Sequence, residues 1–247
     1  NGFAEADPSM DVDGTDATQK LAILAHLAFG VWVPWAEIPR TGIDGLDIDL
    51  LKYAEELGYR IRLVAVVNRA ADKLAMRVGP ALVKIGTPLA ETRGAYNAVS
   101  IVGDAVGRMF FHGLGAGQMP TASAVVADII DTVVGRTAIT FRTTGLLSVD
   151  TPTTHMNETD TSERHFLRIN VSDKPGVLAR ITGILGNHGI SIASVIQHDV
   201  SGSPDTGVPL VIMTHQCASI AVRQAISIID QTDVVRGRSV CLSVLDE

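Results

Sequence analysis

HFLRINVSDKPGVLARITGILGNHGISIASVIQHD, residues 165–199, decides the fold. Its first eight residues read as a strand, Asp173-Lys174-Pro175-Gly176 as a turn, residues 177–189 as a helix closed by Gly189, and residues 190–199 as a second strand. The pattern continues with a turn at VSGSPDTG (200–207), a strand at VPLVIMTHQ (208–216), a helix at SIAVRQAISIIDQ (219–231) and a strand at VVRGRSVCLSVL (234–245). A βαββαβ order predicts a four-stranded antiparallel sheet with two helices on one face.

Upstream the composition changes. Residues 137–162, TAITFRTTGLLSVDTPTTHMNETDTS, are threonine-rich and aperiodic, and divide the chain into a first domain (1–136), a linker (137–162) and a second domain (163–247). In the first domain Leu21, Leu24, Ala25 and Ala28 recur at helical spacing between Gly14 and Gly30. LDIDLLKYAEELG (46–58) is a second helix, YRIRLVAVVNR (59–69) a strand, and LAMRVGPALVKIG (74–86) a strand pair broken at Gly79-Pro80. AVSIVGDAVGRMFFHG (98–113) gives a third and a fourth strand, and PTASAVVADIIDTVVG (120–135) an amphipathic helix with Pro120 in its first turn. The fold class is therefore α+β: a mixed sheet with helices, followed by a ferredoxin-like βαββαβ unit.

The 27 acidic residues outnumber the 20 basic ones and no basic cluster occurs, so nucleic acid and anionic membrane are poor partners for a net charge of -7. A small ligand with a cationic or zwitterionic group fits better. No apolar run reaches the roughly 18 residues of a membrane span, and the acidic first twenty residues are unlike a signal peptide. Cys217 and Cys241 stand apart, without neighbours at metal-ligand spacing, which points to no metal, no disulfide framework and a reducing cytoplasmic setting.

The chain opens on NGFAEADPSMDVDGTDATQK (1–20), five carboxylates running into a lysine. An acidic loop is a poor first element, so a preceding segment is expected. Asp16 and Lys20 stand at i and i+4 on a stripe with Ile23 and Leu27, which puts the pair at the end of a largely apolar face. The plain alternative is an exposed ion pair, a feature of about 0.3–0.5 kcal/mol with no chemistry attached.

Two resemblances give these residues roles. Asp173-Lys174-Pro175-Gly176-Val177-Leu178 and Asn187-His188-Gly189-Ile190-Ser191-Ile192 resemble the ACT domain, an amino-acid-sensing module, over residues 164–245. That resemblance implies an effector bound between paired copies, its carboxylate on the helix N–H groups at Gly176 and Val177 and its ammonium at Asp173. The competing reading of the same residues is that Asp173 only caps the helix and the unit only pairs sheets; His188, near a helix end, reads as structural.

GFAEADPSMDVDGTDATQK with the following LAILA resembles the substrate-site motif of homoserine dehydrogenase, and HGLGAGQMPTASAVVADI (112–129) resembles that family's glycine-rich loop and returning helix. The resemblance implies reversible hydride transfer between NAD(P)H and aspartate semialdehyde, giving homoserine on the way to threonine, methionine and isoleucine. Lys20 then gives the proton to the developing alkoxide with Asp16 beside it, Glu5 and Asp16 receive the substrate ammonium, and Asp11 orders the site. Gly2, Gly115 and Gly117 lie against the cofactor, while Asp7 and Asp13 form turns and caps. Phe3 stands where the family commonly has tyrosine.

Family members begin with a Rossmann nucleotide-binding domain. Gly113-Leu114-Gly115-Ala116-Gly117 follows a strand and opens a helix, but a threonine-rich stretch follows where the fingerprint needs a second strand and an acidic ribose ligand. The chain is thus expected to be an incomplete part of such an enzyme, with NAD(P) bound mostly elsewhere, assembled as a homodimer and feedback-regulated by an amino acid, threonine first. The alternative is a non-catalytic amino-acid-binding regulatory protein.

Overall fold

The structure, a computed structural model, describes residues 7–70, 73–144, 154–155, 161–198 and 207–245. Helix α1 (Ser9–Val12) turns through Asp13 and Gly14 into α2 (Thr15–Phe29), where the Asp13 carboxylate accepts the Thr15 N–H at 2.8 Å. That bond fills one of the donors a first helical turn leaves open. Helix α2 lays Leu21, Ala22 and Ala25 against Leu74, Met76 and Val78. Leu24 is 43% exposed, so the buried face is turned toward Ala22 from the one that spacing predicts. Two alanines there let the helix approach the sheet closely.

A 3-10 turn (Trp35–Glu37) and α3 (Ile48–Glu56) follow, then β1 (Tyr59–Ala70) and β2 (Lys73–Lys84) pair antiparallel along their whole length, from Tyr59 opposite Lys84 to Ala70 opposite Lys73. The break expected at Gly79-Pro80 does not occur. Val78 spends its N–H on Pro39 and its carbonyl on Thr41, both at 2.9 Å, on the side away from β1. Pro80, two residues on, faces the same side, between that loop and the next partner strand at Ala81. Its missing N–H therefore falls in a gap, and the strand runs on.

After α4 (Pro88–Glu91), β3 (Tyr96–Gly103) and β4 (Gly107–Leu114) form a separate hairpin, and α5 (Gln118–Val133) and α6 (Arg136–Thr144) follow. Helix α6 occupies the start of the stretch predicted to be aperiodic linker. Its threonines have low helix propensity and hide the period. Most side chains of β4 and α5 are exposed, including Phe111, Val126, Ile129 and Val133.

The remaining elements are β5 (Thr154–His155), β6 (Ser162–Val171), α7 (Val177–Asn187), β7 (Ile192–Gln197), β8 (Val208–Thr214), β9 (Cys217–Ala218), α8 (Ser219–Asp230) and β10 (Val240–Leu245). The order β10-β6-β8-β7, antiparallel throughout, is the four-stranded sheet that the βαββαβ pattern predicts. Leu167, Ile169, Leu210 and Ile212 point toward Ile181, Leu185, Val222 and Ile229 of α7 and α8. With each such side chain contributing roughly 1.5–3 kcal/mol on burial, this is the main core of the second half.

Two features join the halves. Ser243–Leu245 of β10 pair parallel with Ala81–Val83 of β2, so one sheet runs β1-β2-β10-β6-β8-β7. On its other face Phe166, Val211 and Met213 pack against Leu50, Tyr53 and Ala54 of α3. The βαββαβ sheet is thus covered on both faces, the second by a helix from the first half. Across the seam, Arg77 of β2 donates to Glu163 of β6 at 2.8 Å, with both side chains largely buried. No helix among the described residues is long and apolar enough to cross a membrane.

Candidate functional site

The acidic motif forms the corner between α1 and α2. Asp7 and Asp13 serve the backbone: the Asp7 carboxylate accepts the Ser9 N–H at 3.0 Å, and Asp13 that of Thr15. Those backbone hydrogen bonds hold both carboxyls below the usual aspartate range, as a bond to the charged form must. Asp11 is exposed on α1 and Asp16 opens α2, so the structure separates backbone-serving carboxylates from outward-facing ones. Gly2, Phe3 and Glu5 lie outside the described residues.

Lys20 Nζ lies 2.6 Å from Asp16 Oδ2, with the two side chains 55% and 37% exposed. The stripe beyond them is apolar, as its spacing predicts, but it is not buried: Ile23 is 53% and Leu27 54% exposed. An ion pair in solvent contributes little to folding. Apolar side chains thus continue from the pair into solvent as an open surface.

A loop that sequence reasoning passed over holds this corner. The Ile43 N–H donates to the Val12 carbonyl at 2.9 Å, and an ideal Cβ at Gly42 would lie 2.7 Å from that oxygen and 3.0 Å from Asp13 Cα. Only glycine lets the two backbones meet there. Nothing local in the sequence marks Gly42, because the contact joins residues separated by the whole of α2 and the 3-10 turn that follows it. Gly42→Ala is expected to displace the corner and destabilise the chain by about 2 kcal/mol, the range for overpacking, read as a lower urea midpoint at unchanged slope.

In the glycine-rich loop, the Gly115 N–H donates to the Ala95 carbonyl at 2.9 Å, and a Cβ there would strike the Asn97 side chain at 2.1 Å. Gly117 precedes α5 with φ 124°, a conformation open to glycine. Gly117 is thus required by its backbone conformation, while a side chain at Gly115 would have to displace the exposed Asn97 side chain. The two glycines leave bare backbone at the start of a sixteen-residue helix. Among the described residues no group of three or more His, Cys, Asp or Glu could hold a metal ion.

The second site lies between β6 and α7. A pocket of about 230 Å³ is lined by Ser172, Asp173, Lys174, Gly176, Val177 and Gln197, among others, and so unites all three residues predicted to hold an effector. Gly176 begins α7 with φ 87°, and no side chain caps the helix. Asp173 is therefore not the cap that the plain reading requires. Asp173 and Lys174 set one carboxylate and one ammonium beside an open helix N-terminus, a charge pattern complementary to a free amino acid. His188 Nδ1 pairs with the Ile184 carbonyl at 2.9 Å at the other end of α7, a structural role.

Comparison with known proteins agrees with this layout. The family model for homoserine dehydrogenase matches residues 1–130, and that for the ACT domain residues 165–232. A homoserine dehydrogenase of Pseudomonas aeruginosa is 36% identical over 251 residues, covering 98% of this chain and 57% of that protein. One from Bacillus subtilis is 32% identical over 95% of this chain and 54% of its own length. A crystal structure of a homoserine dehydrogenase from Thiobacillus denitrificans superposes with a TM-score of 0.87 at 36% identity, covering 99% of this chain and 56% of that one. The chain spans little more than half the length of the relatives it matches.

Proposed function

The chain belongs to the homoserine dehydrogenase family, and on that premise we propose that it is the catalytic and regulatory portion of an NAD(P)-dependent enzyme interconverting aspartate semialdehyde and homoserine. The observation that carries this reading is the Asp16–Lys20 pair, 2.6 Å apart and open to solvent at the head of an exposed apolar stripe. Asp16, with Glu5 and Asp11, receives the substrate ammonium. Two or three carboxylates around one ammonium offset the desolvation each would suffer in a closed cleft. Lys20, held by Asp16, gives its proton to the carbonyl oxygen as that oxygen becomes an alkoxide, and takes it back in the reverse direction.

NAD(P), when bound, supplies or accepts the hydride. Gly2, Gly115 and Gly117 border it, and residues outside this chain hold most of it, in keeping with a match to just over half of each relative. Residues 1–136 then form the substrate unit and 163–247 the regulatory unit. The exposed apolar side chains of β4 and α5 suit a homodimer, and the two free cysteines suit the cytoplasm.

At the second site Asp173 takes the ammonium of an effector amino acid, and Lys174 with the N–H groups at Gly176 and Val177 takes its carboxylate. Threonine, the end product, is the first candidate. Calorimetry on the 247-residue chain tests this reading. Heat with L-threonine that Asp173→Ala weakens about tenfold, the value of one charge-assisted hydrogen bond, supports the effector site. Threonine binding with no response to homoserine, even once a nucleotide-binding domain is supplied, instead favours a non-catalytic regulator.

A further inference from the structure

Helix α3 has a double membership. It lies in the first half of the chain, yet its buried residues Leu50, Tyr53 and Ala54 belong to the core under the βαββαβ sheet. Both its ends are clamped to that sheet. At the start, the Asp47 carboxylate caps the helix by accepting the Leu50 N–H at 2.8 Å and also accepts from Arg168 Nη1 at 2.5 Å. The Arg168 side chain is 12% exposed, and the hydrogen bond it donates is the first cause holding the Asp47 carboxyl below its usual range. At the end, Glu56 meets His198 Nε2 at 2.9 Å, and the His198 ring stacks on Tyr53 with centroids 5.9 Å apart.

Each clamp leads to a site. His198 directly follows Gln197, which lines the pocket with Asp173 and Gly176. Upstream of Asp47, the Leu46 N–H donates to the Ile43 carbonyl at 3.2 Å, the Ile43 N–H to Val12 at 2.9 Å, and Gly42 abuts Asp13. Val12 and Asp13 are the corner that aims Asp16. One rigid helix thus touches, through two short connections, both the wall of the pocket and the turn beneath the catalytic pair.

We propose that α3 relays occupancy of the Asp173–Gly176 pocket to the Val12–Asp16 corner, so that regulation acts by moving or stiffening the ground on which Asp16 and Lys20 stand. The relay rests on the reading of that pocket as an effector site. Coupling of this kind requires an element that both sites bias. Helix α3 qualifies because it cannot shift against the sheet without disturbing His198 at one end and the Gly42 loop at the other.

Amide hydrogen exchange on the 247-residue chain, with and without L-threonine, tests the relay, with calorimetry on the same samples. The comparison is with a double variant, Asp47→Asn with Glu56→Gln, which keeps the helix cap and the apolar face but removes both charges. Expected in the unsubstituted chain is threonine heat with exchange slowed about threefold or more at residues 42–51 and 12–18. The double variant should retain the heat and the slowing at 172–178 while losing it at the other two segments. Heat with slowing confined to 172–178 and 197 overturns the relay and leaves the effector site standing. Absence of heat removes threonine as effector, and the double substitution alone then decides: faster exchange at 12–18 supports the relay, and no change there overturns it.

Discussion

Lys20→Ala, in this chain joined to the nucleotide-binding domain of a family relative, is expected to lower kcat by about 10²–10⁴-fold, the usual contribution of a positioned acid or base. The fall should appear equally in kcat/KM, because the proton is needed at the transition state and not to bind homoserine. Asp16→Asn should separate from it by raising KM as well, since Asp16 lies 2.6 Å from the lysine and, in the proposed site, also takes the substrate ammonium. A merely decorative surface pair makes the opposite forecast. With side chains 55% and 37% exposed, losing it would cost stability no more than about 0.5 kcal/mol and leave turnover alone. Steady-state kinetics with homoserine as the varied substrate distinguishes the two.

The second large effect concerns acid. His165 is 5% exposed, and burial, followed by the charge of Arg77, drives its pKa from 6.5 down to about 4. A hydrogen bond to the Glu163 backbone favours the protonated ring, but burial and the Arg77 charge outweigh it. The folded state thus binds fewer protons than the unfolded state between about pH 4 and 6.5. Stability from this group is full above pH 6.5 and lost as pH falls toward 4, roughly 3 kcal/mol in all and about 2 kcal/mol between pH 7 and pH 5.

The location gives that loss a consequence. His165 lies opposite Ser243 of β10, which is itself paired with Ala81 of β2, so protonation acts at the seam between the two halves. Urea unfolding at pH 7 and pH 5 should show the drop in the native sequence and a much flatter response in His165→Gln. An unchanged drop in the variant would assign the acid sensitivity to other groups.

The second half of the fold was legible because each element there carries its own period. Residues 210–213, Leu-Val-Ile-Met, even announce a strand apolar on both faces, although nothing in them says that α3 supplies the second cover. That contact joins residues more than a hundred positions apart, as does the bond from Arg168 to Asp47. Local patterning carries no trace of such pairs. Gly79-Pro80 was misread for a related reason: a proline breaks a strand only where a partner waits for its N–H, and the partner's absence is a tertiary fact.

The Asp16–Lys20 pair was visible through its helical spacing, but its setting was not. The spacing alone would bury the Ile23–Leu27 stripe, whereas the structure leaves it open. The turn at residues 173–177 came through more completely as a piece of structure. Asp173, Gly176 and Val177 do line one pocket, and the open start of α7 argues against the cap reading that the sequence left standing. Gln197 joined that pocket from a separate strand and carried no signal of its own.

The decisive question is whether this chain supplies the chemistry of homoserine oxidation. Joining it to the nucleotide-binding domain of the Pseudomonas aeruginosa relative and following NAD(P) reduction at 340 nm, roughly the absorbance maximum of the reduced nicotinamide, asks this directly. Homoserine-dependent reduction that disappears with Lys20→Ala is expected. Well-folded hybrid protein that reduces no cofactor with homoserine, or does so equally well without Lys20, would contradict it.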